Sequence, residues 1–457
     1  SKYEISMGGM EEHLNELISS KYEGRAAGTK GGKLAGDYII EQLKSYGYEV
    51  YTHDIPLKCD PNINSVEGTY KINSPDILVP MVIEEGRISL KRKDGEEKIY
   101  YLNKDFTVVT VSDSIYKDTS QEGLYYKGVA ASVENAGLVS QNEELFLISP
   151  YISRFSSFGV GESNMVDTGN GKSRNFDVKF MMGDNYDSLH NPGLYKFTSI
   201  IPFGDLKKEL ESGIVNMEII LDYPKAAEYP GRNIIASLPG RDKTEEEPGK
   251  VIIIGAAYDG VYLNDEETSY AMSAAPVATS LELAKTISEL DEPLDKSVQF
   301  IFWDNECDQL KFEMKSGSYY YAIQDRKAFD MALEHGYYYF DISLPGYKED
   351  KNLNLITLPA QLADSNNYLM GLGIQERLRE LDVDFKRFFY DYETSKGVYN
   401  MRTNALTTVG LGNPSTWGIN SPKDDIENIN LRRMKDIGQI ILDTFTMNEY
   451  MKDLNKE

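Results

Sequence analysis

The chain has 457 residues, with 48 basic and 73 acidic side chains and a formal net charge of −25. At 41% hydrophobic and 26% charged it is neither disordered nor fibrous, and so long a chain is expected to fold as two or three domains. The acidic balance excludes nucleic acid and anionic membrane surfaces as natural partners, because both repel such a chain.

Cys59 and Cys307 are the two cysteines, too few for a disulfide framework or a cysteine-rich zinc module, so two free thiols are expected rather than a bridge. No run of about 18 apolar residues occurs, so no membrane-spanning helix is expected. The opening at Ser1 without a signal peptide fits a mature form as well as a cytosolic one.

Taken in chain order, Leu34, Tyr38, Ile39, Leu43 and Tyr46 recur at helical intervals and Gly47 closes the run. A glycine-punctuated loop, Gly24-Arg25-Ala26-Ala27-Gly28-Thr29, feeds that helix. From Tyr48 to about Tyr223 the chain is rich in short β-type runs such as Thr107 to Val111, separated by Gly, Asn, Asp and Ser. Inside this stretch, Ile200 to Pro202 leads into a short helix ending at Leu210 and then into Val215 to Leu221.

From Arg232 the pattern becomes regular. Asn233 to Leu238, Val251 to Ala256, Val298 to Trp303 and Tyr337 to Ile342 are apolar runs of the kind a strand buried on both faces requires. Between them Val277, Leu281, Ala284 and Ile287 form a helical stripe, and Met434, Ile437, Ile441 and Phe445 form another near the end. Alternating strands and helices predict an α/β fold with a mostly parallel mixed sheet flanked by helices.

Ligands of such sheets bind beyond the carboxyl ends of the strands. Those ends here are Ala257-Tyr258-Asp259, Asp304-Asn305-Glu306-Cys307 and Phe340-Asp341-Ile342, with a further loop, Ile419 to Asp424, before the last helix. The chain resembles the co-catalytic di-zinc aminopeptidases of clan MH, whose relatives include glutamate carboxypeptidase, the transferrin receptor and nicastrin. Gly24-Arg25 with Gly28-Thr29, Asn233 to Gly240, and Ser269 to Lys285 carry the resemblance, in that order. The β-rich stretch is similar to the protease-associated domain inserted in many members. The implied organisation is an aminopeptidase-like domain from residues 1–56 and 229–457, split by a mostly β insert of protease-associated type at 57–228.

The resemblance implies five zinc ligands: a His, a bridging Asp, a Glu, a second Asp and a second His. Position by position, the first His falls on Ala257, with the following Asp259 kept, and the bridging Asp falls on Met272. Glu306 occupies the general-base position, while the neighbouring ligand is Cys307. Asp341 matches the second Asp, and the last His falls on Asn420. The four histidines, His13, His53, His190 and His335, lie on none of these loops. Ala, Met and the neutral amide of Asn cannot replace imidazole and carboxylate.

Magnitudes decide what this loss means. Zinc lowers the pKa of bound water from about 15.7 to about 7, so on the order of 12 kcal/mol of water activation goes with the metal. A general base such as Glu306 contributes about 3–5 kcal/mol. Hydrolysis by the family mechanism is therefore not expected, and neither a catalytic residue nor a zinc cofactor is.

Other readings stand beside this one. Glu306 is a leftover base, a ligand-binding group or, as favoured here, a hydrogen-bonded structural carboxylate. Cys307 lacks an adjacent His, which favours an inert buried thiol over a nucleophile. Asp304, Glu306, Asp341 and Cys307 holding one weak metal is the rival arrangement, and repulsion among the carboxylates would then raise a pKa or attract a cation. Most of the chain's 32 tyrosines, including the clusters Tyr319 to Tyr321 and Tyr337 to Tyr339, read as half-buried packing residues with hydroxyls in water, with lining of a recognition surface as the alternative for some.

The expected function is that of a catalytically inactive aminopeptidase-like protein that binds or scaffolds a protein or peptide partner. An aminopeptidase with an atypical or single-metal zinc site, and a small-molecule or peptide binder using the vacated pocket, are the alternatives. By resemblance to members with this insert, an extracellular or cell-surface location is expected.

Overall fold

A computed structural model describes residues 3–55, 83–110, 123–132, 134–140, 143–148, 165–167, 173–175, 178–182, 198–222, 228–241, 251–260, 270–306, 316–324, 336–357, 365–389, 396–401, 405, 407–412 and 424–447. Two capped helices open the chain. The Ser6 hydroxyl accepts the Gly9 amide at 3.0 Å and starts Met7–Leu17, and Thr29 accepts the Gly32 amide at 3.0 Å and starts Lys30–Ser45. Gly47, with φ of +89°, ends the second helix in a turn that costs glycine little. The first helix has no counterpart in the sequence reading. Its buried residues Met10, His13, Leu14 and Leu17 are a thin stripe among glycines and glutamates, though the spacing is helical.

The larger sheet has eight strands. In spatial order they are Glu49–Ile55, Gly231–Leu238, Val298–Trp303, Val251–Ala257, Tyr337–Ile342, Thr407–Gly412, Leu353–Thr357 and Phe385–Phe389. The four strands from Val298–Trp303 to Thr407–Gly412 run parallel, as the alternation of strands and helices predicts. Antiparallel pairings flank them and Leu353–Thr357 again runs parallel to Phe385–Phe389, so the sheet is mostly parallel and mixed, as expected. The register shows how one antiparallel pair arises. Ile55 pairs with Gly231, so residues 56–230 leave and return at neighbouring strand ends, and the two strands form an antiparallel pair without a crossover helix.

Both faces of this sheet are covered. Along Val251–Ala257, Ile252 and Ile254 face a core that also holds Leu14, Ile39, Leu43, Val277, Leu281, Phe300, Phe340, Ile437 and Ile441. Ile253 faces the opposite side with Ile235, Ile301, Trp303, Tyr321, Tyr337 and Tyr339. Burial on two sides explains why these strands read as continuous apolar runs. It also corrects the tyrosine expectation. Tyr337, Tyr338 and Tyr339 are fully buried, and the Tyr337 hydroxyl donates to the Met401 carbonyl at 2.6 Å. A protein acceptor takes the place of water there, as a buried hydroxyl requires.

A second sheet of eight strands comes from residues 86–222. Its order is Glu97–Tyr101, Gly86–Lys91, Val215–Asp222, Gly123–Ser132, Leu145–Ile148, Val178–Met182, Thr198–Pro202 and Phe106–Thr110. It has its own core of Ile88, Leu90, Phe106, Phe146, Met217, Ile219 and Leu221, on which the helix Gly204–Glu211 seats Leu206 and Leu210. The expected sequence of strand, short helix and strand between Ile200 and Leu221 is present.

Candidate functional site

Three parallel strands end side by side at the centre of the larger sheet. Ala257 pairs with Trp303, and Gly255 pairs with both Ile301 and Asp341. The expected positions Ala257, Asp259, Glu306 and Asp341 therefore do converge at one edge. Cys307 and Asn420 lie outside the described residues, as do His190, His335 and Lys423.

The buried end of this site is a hydrogen-bonded relay. Trp303 Nε1 donates to the Tyr339 hydroxyl at 2.9 Å, and Tyr339 donates to Asp341 Oδ1 at 2.7 Å. The Ser343 hydroxyl donates to Asp341 Oδ2 at 2.9 Å. Gly255 makes room for the relay, since a Cβ there would lie 2.1 Å from the Tyr339 hydroxyl oxygen and 2.6 Å from Trp303 Nε1. Burial, reinforced by the Asp341 charge, pushes the Tyr339 hydroxyl well above the ordinary tyrosine range, so it stays protonated and donates.

The other carboxylates are engaged by the loops that carry them. Asp259 accepts the Glu306 amide at 2.9 Å and so ties the first strand end to the second. Asp304 accepts the amides of Arg232 at 2.9 Å and Asn305 at 2.8 Å, and Glu306 Oε1 accepts the Ser318 amide at 2.6 Å. Above Asp304, the Tyr258 hydroxyl donates to the Arg232 carbonyl at 2.8 Å. Burial first, then the Asp304 charge, raises Tyr258 well above its usual value.

Met272 departs from a ligand geometry. It lies in the first turn of Ala271–Ser288, is fully buried, and belongs to the aliphatic core. The start of that helix is held by Asp424, whose carboxylate accepts the Met272 amide and whose carbonyl accepts the Ala271 amide at 3.3 Å. Tyr270, just before it, has φ of 47° and ψ of 52°.

Arg25 is the site residue whose role the sequence reading missed. It is fully buried, with φ of 62°. Its guanidinium donates to the Leu17 carbonyl at 2.8 Å, the Tyr270 carbonyl at 3.0 Å and the Ser273 hydroxyl at 2.8 Å. Its own carbonyl accepts the Gly260 amide at 3.3 Å. Arg25 thereby joins the N-terminal segment, the loop after Asp259 and the Met272 helix. The motif Gly24-Arg25 was the signal, but a motif gives no acceptors.

His13 and His53 are placed elsewhere. His13 Nδ1 lies 2.7 Å from the Tyr38 hydroxyl, and Nε2 lies 3.1 Å from the Tyr46 hydroxyl and 3.6 Å from Glu282. His53 sits on the edge strand, its ring centroid 5.4 Å from that of Tyr320.

Two zinc ions require imidazole nitrogens and carboxylate oxygens turned toward a shared centre. The described residues instead offer Ala257, a core methionine at 272, and carboxylates that already accept hydroxyl or amide hydrogens. Ala257 and Met272 do not supply that donor chemistry. Among the described residues no group of three or more His, Cys, Asp or Glu is disposed to hold a metal ion.

Residues 233–445 match the model of peptidase family M28. No curated protein matches the chain in sequence. The fold is similar to that of a zinc aminopeptidase from Bacillus subtilis, with a TM-score of 0.60 and 12% identity over 96% of this chain and 94% of the other. An aminopeptidase from Aneurinibacillus sp. strain AM-1 gives 0.55 and 14% identity, over 96% of this chain and 94% of that one. A peptidase M28 precursor from Shewanella amazonensis gives 0.56 and 14%, over 96% of each chain. At these identities the likeness is one of fold.

Proposed function

Taking as premise an aminopeptidase-like chain whose residues 233–445 match the peptidase family M28 model, we propose that this protein is a non-hydrolysing aminopeptidase-like protein that binds or scaffolds a protein or peptide partner. Met272 is the observation that supports this reading most. By resemblance that position bridges two zinc ions, and here it carries a thioether buried in a helix and packed in an aliphatic core. The engagement of Asp341 by Tyr339 and Ser343 accompanies it, each carboxylate oxygen accepting one hydroxyl hydrogen.

Residues 57–228 are proposed as the protease-associated-type insert, and the pairing of Ile55 with Gly231 supports an insertion at a hairpin tip. The extracellular placement rests on that proposal.

The test is metal content measured on the purified protein, together with turnover of aminoacyl chromogenic substrates. Substoichiometric zinc and no turnover are expected. Stoichiometric zinc with chelator-sensitive turnover would replace this reading by that of a zinc aminopeptidase with an atypical site.

A further inference from the structure

A buried polar cluster lies away from the strand ends, where the first helix, Met7–Leu17, meets Lys30–Ser45 and Ala271–Ser288. His13 is 7% exposed and Glu282 4%. The imidazole stands between two hydroxyls, that of Tyr38 at 2.7 Å from Nδ1 and that of Tyr46 at 3.1 Å from Nε2, and Tyr46 also donates to Gln42 Oε1 at 3.3 Å. Glu282 lies 3.6 Å from Nε2, and among the described residues this is its one ion pair. The same carboxylate sits against Gly9, where a Cβ would collide with it, so Glu282 is the seat on which the first helix rests.

We propose that His13 is a pH-sensitive latch: charged, it holds the first helix to Glu282, and neutral, it loosens that helix and the start of the Met272 helix. The two hydroxyls satisfy the ring in either state, since each can donate or accept. Glu282 tells the states apart. Charged His13 gives a buried carboxylate its counter-ion, whereas neutral His13 leaves a buried anion unpaired, which is destabilising. The other charged groups acting on the cluster do not take that place. Glu12, Glu16, Glu41 and Glu289 are acids, and Lys21 is bound to Glu16. The last helix turns Lys435 to Glu4 and Gln439 to Tyr3 and Ile5. Burial, reinforced by neighbouring acids, pushes the Tyr38 and Tyr46 hydroxyls well above the ordinary tyrosine range, so neither loses its proton near neutral pH. Imidazole is the side chain of this set whose charge ordinarily changes between about pH 5 and 8. The latch reaches the strand-end site through one residue. The helix that carries His13 ends at Leu17, whose carbonyl accepts from Arg25, and the same guanidinium holds the Tyr270 carbonyl and the Ser273 hydroxyl. This inference goes beyond the proposed function and does not depend on it.

Amide hydrogen exchange of the full chain between about pH 5.5 and 8.5 tests it, read as protection factors so that the intrinsic pH dependence of exchange is removed. Protection at residues 10–17 should fall about tenfold as pH rises over that range, with a fall at amides 271 and 272 and none in the strand Val298–Trp303. Glu282→Gln keeps the shape, removes the charge and should abolish the pH dependence, as should His13→Gln. Should His13→Gln fail to fold, Glu282→Gln carries the comparison. Protection that stays flat across the range in the parent, a fall of equal size in Glu282→Gln, a fall shared by Val298–Trp303, or unmoved amides 271 and 272 would each overturn the proposal.

Discussion

The two sheets have the same number of strands and opposite relations to water. The larger one is buried on both faces, and its functional-looking groups, Asp341, Tyr339, Trp303, Asp304 and Asp259, spend their hydrogen bonds on one another and on neighbouring loops. The smaller one buries one face on its core and leaves Tyr101, Tyr125 and Ile99 open. The comparison teaches that polar residues gathered at a strand edge can serve the architecture itself: its carboxylates accept internal hydrogens at 2.6–2.9 Å and hold the loops in place.

The sharpest way to break that comparison is to place chemistry back into the larger sheet. Met272→Asp puts a carboxylate among aliphatic side chains and should cost about 4 kcal/mol in urea unfolding at neutral pH. Combined with Ala257→His, Cys307→Glu and Asn420→His, it should regain stability on adding zinc, read as a rise in melting temperature with stoichiometric uptake. A quadruple variant that folds and takes up no zinc would refute the placement of these positions.

Arg25→Ala comes next. It withdraws three donors from buried acceptors on Leu17, Tyr270 and Ser273, so a loss of about 3–4 kcal/mol is expected. Hydrogen exchange should speed up first at amides 271–273. Tyr339→Phe removes the hydroxyl between Trp303 and Asp341 and should cost about 2 kcal/mol, with a shift in the Trp303 indole N–H resonance.

A smaller effect concerns acid. Burial raises Asp37, but hydrogen bonds from Arg232 and Lys33 outweigh it and hold the carboxyl below its ordinary value. Its folded value is thus below its unfolded one. The stability it contributes is present above the unfolded value, near pH 4, and is lost as pH falls through the folded one. With the side chain 44% exposed, Asp37→Asn should flatten the acid side of the stability profile by less than about 1 kcal/mol. Smallest of all, Tyr125→Ala on the open face should leave unfolding within about 0.5 kcal/mol of the parent. A larger loss would mean that this face is packed like the other sheet.

Much of the larger sheet was legible because burial on two faces writes itself into sequence. Val251 to Ala256, Val298 to Trp303 and Tyr337 to Ile342 could not be solvated strands. The strands Leu353–Thr357, Phe385–Phe389 and Thr407–Gly412 were not read, since they are short, mixed in polarity and interrupted by Asn, Lys and Gly. Within the site, the residue types at 257, 272, 306 and 341 were legible by resemblance, and the convergence of 257, 306 and 341 followed from parallel strands ending together.

What the chain alone determined is its layering and which donor types stand at the strand ends, because apolar periodicity and donor chemistry are properties of residues in order. What only the tertiary structure decided is which polar groups were already committed. Ser343 and Tyr339 reach Asp341 along one strand face, the Ser318 amide reaches Glu306 from the short helix Gly317–Tyr319, and Arg25 meets Tyr270 across 245 positions of chain. Likewise, Tyr101 and Tyr125 share a row solely because two strands intervene in register. A hydrogen bond depends on distance and angle in space, and separation along the chain carries neither.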